Sequence, residues 1–278
     1  MKVEDLLVEA KKSIHSDYAK ILLADLLEIN PLELLIHLND KVDNEIITKY
    51  RNEIRAIKEN KPLQYVMGYT NFYGLKIKVN KNVLIPRYET EELVENTLIL
   101  IKKYFYENID IIDLGTGSGA IGLSLKSKLN NANIDMIDIS EEALEVAKDN
   151  ATNLNLNVNL IKSDMLVNIN KKYDVIISNP PYIKLDGEVE DIVKDNEPHL
   201  ALFAKDNGME FYDKILKKSK ENLKAKFIIA FEIGFDESED VTNLAYKYLD
   251  NITVIPKKDM QGRDRMIFII SNNLLNNE

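Results

Sequence analysis

The sequence predicts an α/β protein in which a doubly wound, parallel sheet follows a small helical bundle, the two joined by a β-hairpin. Three observations predict it. The first 60 residues carry helical periodicity alone. From Thr90 onward, short apolar runs alternate with helical ones. The alternating glycines Gly115, Gly117 and Gly119 fall where the first of those apolar runs should turn into a helix. Strands spaced by helices pair in parallel and carry helices on both faces. Residues 1–70 are therefore expected to form a helical domain, 71–86 a hairpin linker and 87–278 the sheet domain.

Val3, Leu6, Leu7, Ala10 and Ile14 share one face of a first helix. A second is expected from Asp17 toward Ile29. Asn30-Pro31-Leu32-Glu33 then reads as a helix start, with Asn as cap, Pro at the first position and Glu placed to reach back. Ile46, Ile47, Tyr50, Ile54 and Ile57 mark a further helix. In Leu75-Lys76-Ile77-Lys78-Val79 the period changes to two, which predicts a half-exposed strand. Asn80-Lys81-Asn82 reads as its turn and Val83-Leu84-Ile85 as the returning strand.

Beyond Thr90 a helix is expected over 91–104, then a strand over 109–114 and a helix after Gly119. A strand over 134–137 precedes a helix capped by Ser140 and running to Asn150. Further strands are predicted over 158–161, 175–178, 227–231, 252–255 and 266–270.

Composition narrows the function. The chain has 278 residues, 45% hydrophobic and 29% charged, enough for one or two packed domains. No apolar run approaches a membrane span, and the mixed-charge N-terminus predicts no secretory signal. The absence of cysteine excludes disulfides, thiolate nucleophiles and zinc–thiolate centres. His15, His37 and His199 lie too far apart for a ligand set, so no metal site is expected. A cytoplasmic location fits these features. Residues 1–79 hold twelve Lys/Arg and twelve Asp/Glu, so the net charge of −10 falls entirely on the remainder. A protein gripping nucleic acid by its phosphates usually shows a basic face, so direct nucleic-acid binding is not expected.

Asp113-Leu114-Gly115-Thr116-Gly117-Ser118-Gly119-Ala120 ends a strand and opens a helix. Glycines there permit a tight turn and a close approach of backbone to ligand. The spacing also satisfies the loose dinucleotide pattern, with Asp138 at a suitable distance, so a nicotinamide enzyme is one reading. S-adenosylmethionine is the other. Asp113 would face the amino-acid end of that ligand, and Asp138 could accept from both ribose hydroxyls. Asp164 could take the adenine amino group, with Met165 against the ring.

Asn179-Pro180-Pro181-Tyr182 follows the predicted strand over 175–178 and is the sharpest signal in the chain. Two prolines stiffen the loop and remove two N–H donors. What remains presents acceptors, the Asn179 side-chain oxygen and the Pro180 carbonyl. A planar NH2 group has two N–H bonds to satisfy. Its lone pair is delocalised, so it needs orientation more than a strong base. Tyr182 offers a flat face for packing the substrate.

These residues resemble the release-factor glutamine methyltransferases of the HemK/PrmC type. The likeness runs through Pro62-Leu63-Gln64-Tyr65, Val83-Leu84-Ile85-Pro86-Arg87 with Glu89-Thr90-Glu91, the glycine turn, Asp138-Ile139-Ser140, the Asn-Pro-Pro-Tyr tetrapeptide, Glu197-Pro198, Glu232-Ile233-Gly234 and Gly262-Arg263-Asp264-Arg265. Asn-Pro-Pro-Tyr alone is shared with adenine and guanine amino methyltransferases; the Pro62 and Ile85 stretches point to the protein-glutamine branch.

The resemblance implies a Rossmann-like class I methyltransferase sheet and S-adenosylmethionine as methyl donor, with S-adenosylhomocysteine as product. The implied substrate is the glutamine of the GGQ motif in class I peptide-chain release factors, which the N-terminal domain helps to bind. The cofactor residues implied are Gly115, Thr116, Gly117, Ser118, Gly119, Asp138, Met165 and Asn179. Asn179, Pro180, Pro181 and Tyr182 would form the glutamine pocket, with Asn179, Pro180 and Tyr182 acting in catalysis. A monomer is expected. Tyr88 stands where the family usually has proline, and Met165 where an aromatic residue often flanks the adenine. A nucleic-acid amino methyltransferase, which would need its base unstacked, is the principal alternative; a nicotinamide oxidoreductase and a non-catalytic binding module are weaker ones.

Overall fold

The computed structural model describes residues 1–275. In chain order its helices and strands are α1 (Val3–Ala10), α2 (Ser16–Leu26), α3 (Asn44–Lys58), α4 (Leu63–Met67), β1 (Tyr69–Phe72), β2 (Leu75–Lys78), α5 (Tyr88–Tyr104), β3 (Ile109–Leu114), α6 (Ala120–Lys128), β4 (Ala132–Asp138), α7 (Glu141–Asn153) and β5 (Asn159–Lys162). They continue with β6 (Tyr173–Ser178), β7 (Ile183–Lys184), α8 (Asp191–Asn196), β8 (Phe203–Ala204), α9 (Glu210–Asn222), β9 (Leu223–Glu232), α10 (Ser238–Tyr248), β10 (Ile252–Lys258), β11 (Asp264–Ser271) and α11 (Asn272–Leu275). The chain divides into two compact units, one of residues 1–69 with 190–196 and one of 70–189 with 197–278. No helix among the described residues is long and apolar enough to cross a membrane.

The first unit is a helical bundle around Leu6, Leu22, Leu23 and Tyr50. The apolar stripes of α1, α2 and α3 supply this core, as their periodicity requires. The buried Tyr50 hydroxyl is satisfied by donating to the Ala19 carbonyl at 2.9 Å. The predicted start at Asn30 forms its reciprocal bonds: Asn30 Oδ1 accepts from the Leu32 amide at 2.9 Å, and Glu33 Oε2 accepts from the Asn30 amide at 3.2 Å. Only a 3₁₀ turn follows, Glu33–Leu35. Leu34 is buried there but Leu32, Leu35 and Ile36 are exposed, so no apolar stripe exists to extend the helix.

The second unit holds a seven-stranded sheet ordered β10-β11-β9-β6-β3-β4-β5. The pairs β3–β4, β3–β6, β4–β5 and β6–β9 are parallel. Ile111, Ile112, Ile176 and Ile177 are fully buried, which is why the central strands read as continuous apolar runs. One strand departs from the parallel expectation. β11 is antiparallel to both β9 and β10, because the five residues between β10 and β11 are too few for a helical crossover.

The hairpin also differs. It is built from β1 and β2, with Tyr73 and Gly74 at positive φ in its turn; Val83–Ile85 is not a strand. At the amino ends of the sheet, Lys224 Nζ bridges Asp110 and Asp174, 2.7 Å from each. That edge is closed by paired charge, which leaves the carboxyl ends as the place for a ligand.

Candidate active site

The carboxyl ends of β6, β3 and β4 lie side by side, and strand order reverses at β3. This is the switch point at which open α/β sheets bind ligands. A cavity of about 340 Å³ opens here, within the range of small-molecule sites. Gly115, Gly117, Asp138, Met165, Asn179 and Pro181 line it, all from the second unit.

Gly115, Gly117 and Gly119 adopt φ of 69°, 54° and 83°, a left-handed path that glycine follows without strain. A Cβ on Gly119 would stand 2.7 Å from the terminal methyl of Met136, which would have to shift; the φ of 83° is what calls for glycine here. Asp113 is fully buried, and burial pushes its carboxyl up to about 6 against the pull of the Thr116 hydroxyl and the Gly122 amide. Its Oδ2 accepts from Thr116 Oγ at 2.6 Å and from Gly122 N at 3.0 Å. Asp113 thus braces the turn and does not line the cavity, contrary to the expectation that it faces the ligand. Thr116, Ser118 and Gly119, expected at the cofactor, belong to the same turn and are not among the residues that line the cavity. The Thr116 hydroxyl is spent on Asp113, and the Ser118 carbonyl accepts from Asn150 Nδ2 at 2.8 Å. Asn150 also bonds both backbone groups of Lys78, donating at 3.0 Å and accepting at 2.7 Å, and so pins the turn to the end of β2.

Asp138 ends β4 and does reach the cavity. Its Oδ2 accepts from Gly117 N and its Oδ1 from Ser140 N, both at 2.9 Å. Burial raises its carboxyl and these amides oppose the rise. Each oxygen keeps a lone pair for a ligand hydroxyl. Asp164, expected to take an adenine amino group, has one oxygen paired with Lys214 Nζ. Met165 lies at φ 52° with its side chain in the core. Phe211, on α9 and unmarked by the sequence, lines the same cavity and supplies an aromatic ring where Met165 does not.

Ser178 Oγ donates to the Leu114 carbonyl at 2.7 Å and so ties β6 to β3 just before the tetrapeptide. Asn179 Nδ2 then donates to Thr90 Oγ at 3.1 Å, and Thr90 Oγ donates to Glu232 Oε2 at 2.6 Å. Among the described residues no protein donor reaches Asn179 Oδ1 or the Pro180 carbonyl. Pro180 is buried and does not itself line the cavity. Tyr182 does not line the cavity. It packs on the core with its hydroxyl 3.5 Å from Glu232 Oε1, so its ring supports the loop from below. Arg87 Nη2 pairs with the buried Glu197 at 2.5 Å, and the same carboxylate accepts from Ile85 N at 3.0 Å. This locks the stretch before α5 to the Pro198 wall of the cavity.

A glycine turn, a carboxylate ending the second strand and an Asn-Pro-Pro-Tyr loop at one sheet edge define a Rossmann-like class I methyltransferase. Residues 90–201 match the family described as Methyltransferase small domain, and residues 2–68 match the PrmC N-terminal domain. The release factor glutamine methyltransferase of Streptococcus pneumoniae is 39% identical over 240 residues, covering 85% of each chain. That of Flavobacterium psychrophilum is 38% identical over 263 residues, 92% of each. The chain belongs to the release factor glutamine methyltransferase family. Among solved structures, a methyltransferase from Pyrococcus furiosus matches with a TM-score of 0.52 at 20% identity, covering 72% of this chain and 89% of that one. The Thermus thermophilus 16S rRNA N2 G1207 methyltransferase, in complex with AdoMet and guanosine, matches with a TM-score of 0.52 at 12% identity, over 73% and 49% of the two chains. At such identities these neighbours speak for the fold.

Proposed function

We propose that this chain transfers a methyl group from S-adenosylmethionine to the side-chain amide nitrogen (N5) of the glutamine in the GGQ motif of class I peptide-chain release factors. The observation that carries the reading is the Asn179 amide at the cavity that Gly115, Gly117 and Asp138 line, with no protein donor among the described residues on its Oδ1 or on the neighbouring Pro180 carbonyl.

The residues present fit the donor. Left-handed glycines bring bare backbone to the cavity. Asp138 retains lone pairs for two vicinal hydroxyls, and Met165 and Phe211 give apolar walls for a flat ring. S-adenosylmethionine brings an electrophilic methyl group on a sulfonium. The protein contributes position: Asn179 Oδ1 and the Pro180 carbonyl each accept one N–H of the glutamine amide, turning its lone pair toward the methyl group. When bound, the donor would give its methyl group to the nitrogen and leave as the neutral thioether S-adenosylhomocysteine, and the surplus proton, acidic only once the nitrogen is methylated, would pass to solvent. No strong base is needed beside the amide, consistent with a loop that offers only neutral acceptors.

Residues 1–70 serve in this reading to dock the release factor, 71–86 to link, and 87–278 to carry the chemistry. In this reading the protein acts in the cytoplasm as a monomer. Nucleic acid is not its substrate, in keeping with the net charge of −10. Methyl-labelled donor tests this. Label is expected to enter a class I release factor, to vanish when the GGQ glutamine is replaced by alanine, and to spare DNA and RNA. Label entering only nucleic acid would replace this reading with base amino methylation.

A further inference from the structure

Resting on the reading of Asn179 as the amide acceptor, we infer that Thr90 and Glu232 are positioning residues that determine which end of the Asn179 amide faces the substrate. A primary amide is nearly symmetric in shape, and its two ends differ only in hydrogen-bonding sense. With Oδ1 outward, Asn179 accepts from a substrate NH2. With Nδ2 outward, it sets donor against donor. The proline corner fixes the backbone but cannot distinguish these two rotamers.

The chain of bonds behind Asn179 can. Glu232 ends β9 with 2% exposure, and Thr90 sits in the first turn of α5 with 4% exposure, so water does not compete for either. An ionised carboxylate only accepts. At 2.6 Å the single Thr90 hydroxyl proton is therefore committed to Glu232. Thr90 Oγ is left with lone pairs alone for Asn179, and only Nδ2 can satisfy them at 3.1 Å. Oδ1 is directed to the cavity by elimination.

Glu232 is itself held from several sides. Tyr212 donates to its carbonyl at 2.9 Å, and its backbone pairs with Met266 on β11. Burial pushes its carboxyl up to about 7, against the pull of the Thr90 hydroxyl and of the Arg265 charge, with Glu89 adding to the rise. A mildly alkaline assay thus keeps it ionised and the bond direction single. Thr90 and Glu232 also give a physical role to the Glu89-Thr90-Glu91 and Glu232-Ile233-Gly234 stretches, which lie 142 residues apart at this contact and which neither donor nor substrate binding employs.

The test is steady-state kinetics of the full chain at pH 8 with release factor and S-adenosylmethionine, alongside donor affinity and Tm. Thr90→Val keeps the shape and removes the acceptor. It is expected to lower kcat about tenfold, the worth of one buried hydrogen bond, with donor affinity unchanged and Tm lower by a few degrees because the buried Glu232 carboxylate loses a donor. Thr90→Ser should restore kcat to within about twofold, because the hydroxyl returns. Glu232→Gln can both donate and accept, so its kcat should fall between wild type and Thr90→Val. Full kcat in Thr90→Val, or a loss shared equally by kcat and donor affinity, would overturn the inference while wild-type transfer to the factor still stood. Absence of that transfer in the wild type would instead overturn the functional reading itself.

Discussion

Asn179→Ala is expected to lower turnover on a release factor by about 10²- to 10³-fold, the range seen when one preorganised hydrogen-bonding group is removed from a reacting centre. Donor affinity should stay within about threefold, since one hydrogen bond at most is lost there. Geometry sets this pattern. Asn179 Nδ2 is occupied by Thr90, so the free end of the side chain is its oxygen, the atom proposed to meet the substrate amide. The Pro180 carbonyl, fixed by two prolines, persists in the variant and holds one N–H without aligning the lone pair. The loss therefore belongs in kcat and not in donor binding. Steady-state kinetics with donor titration separates the two. A variant that bound donor poorly yet turned over normally at saturation would remove Asn179 from its role as the amide acceptor.

Asp138→Ala should give the opposite pattern. Its carboxylate holds Gly117 N and Ser140 N at 2.9 Å and lines the cavity. Alanine would remove two charge-assisted acceptors from the proposed ribose site and free the turn they hold. A loss of roughly 3 kcal/mol is expected from hydrogen bonds to a charged group, which is about a 100-fold weaker donor Kd. At saturating donor, kcat should remain within about fivefold of wild type, because the proposed role of Asp138 lies at the ribose and not at the methyl group or the amide. Calorimetric titration of the donor, followed by turnover at saturation, checks both halves. Unchanged donor affinity would mean that the end of β4 does not hold the ribose.

The contrast between these variants follows from what the sequence can and cannot reveal. Several elements set by one local rule agree between sequence and structure. The apolar runs of β3, β4 and β6, the glycines after β3 and the Ser140 cap, whose hydroxyl accepts from Ala143 N at 3.1 Å, are each written within a few residues. The tetrapeptide is similarly local. What escapes depends on partners distant in the chain. Thr90 and Glu232 stand beneath Asn179 only because α5, β6 and β9 converge. Phe211 reaches the cavity from α9, and Lys214 takes one oxygen of Asp164. Its place before a glycine turn points Asp113 outward, but complete burial turns it to the Thr116 hydroxyl and the Gly122 amide.

Two further differences concern pairing. Leu75–Lys78 alternates as a strand should, yet its partner lies before it, at Tyr69–Phe72, and not at Val83–Ile85. Alternation identifies a strand but is silent on which neighbour it pairs with. The antiparallel β11 is legible in principle, since the gap between the last two strands cannot hold a helix.

The most direct measurement is a crystal structure of the protein with S-adenosylhomocysteine and a peptide carrying the Gly-Gly-Gln sequence. Asn179 Oδ1 and the Pro180 carbonyl should each lie within about 3.2 Å of the glutamine side-chain nitrogen, with Asn179 Nδ2 still on Thr90. An Asn179 amide presenting its nitrogen to the peptide, or a glutamine seated away from the proline loop, would contradict the account.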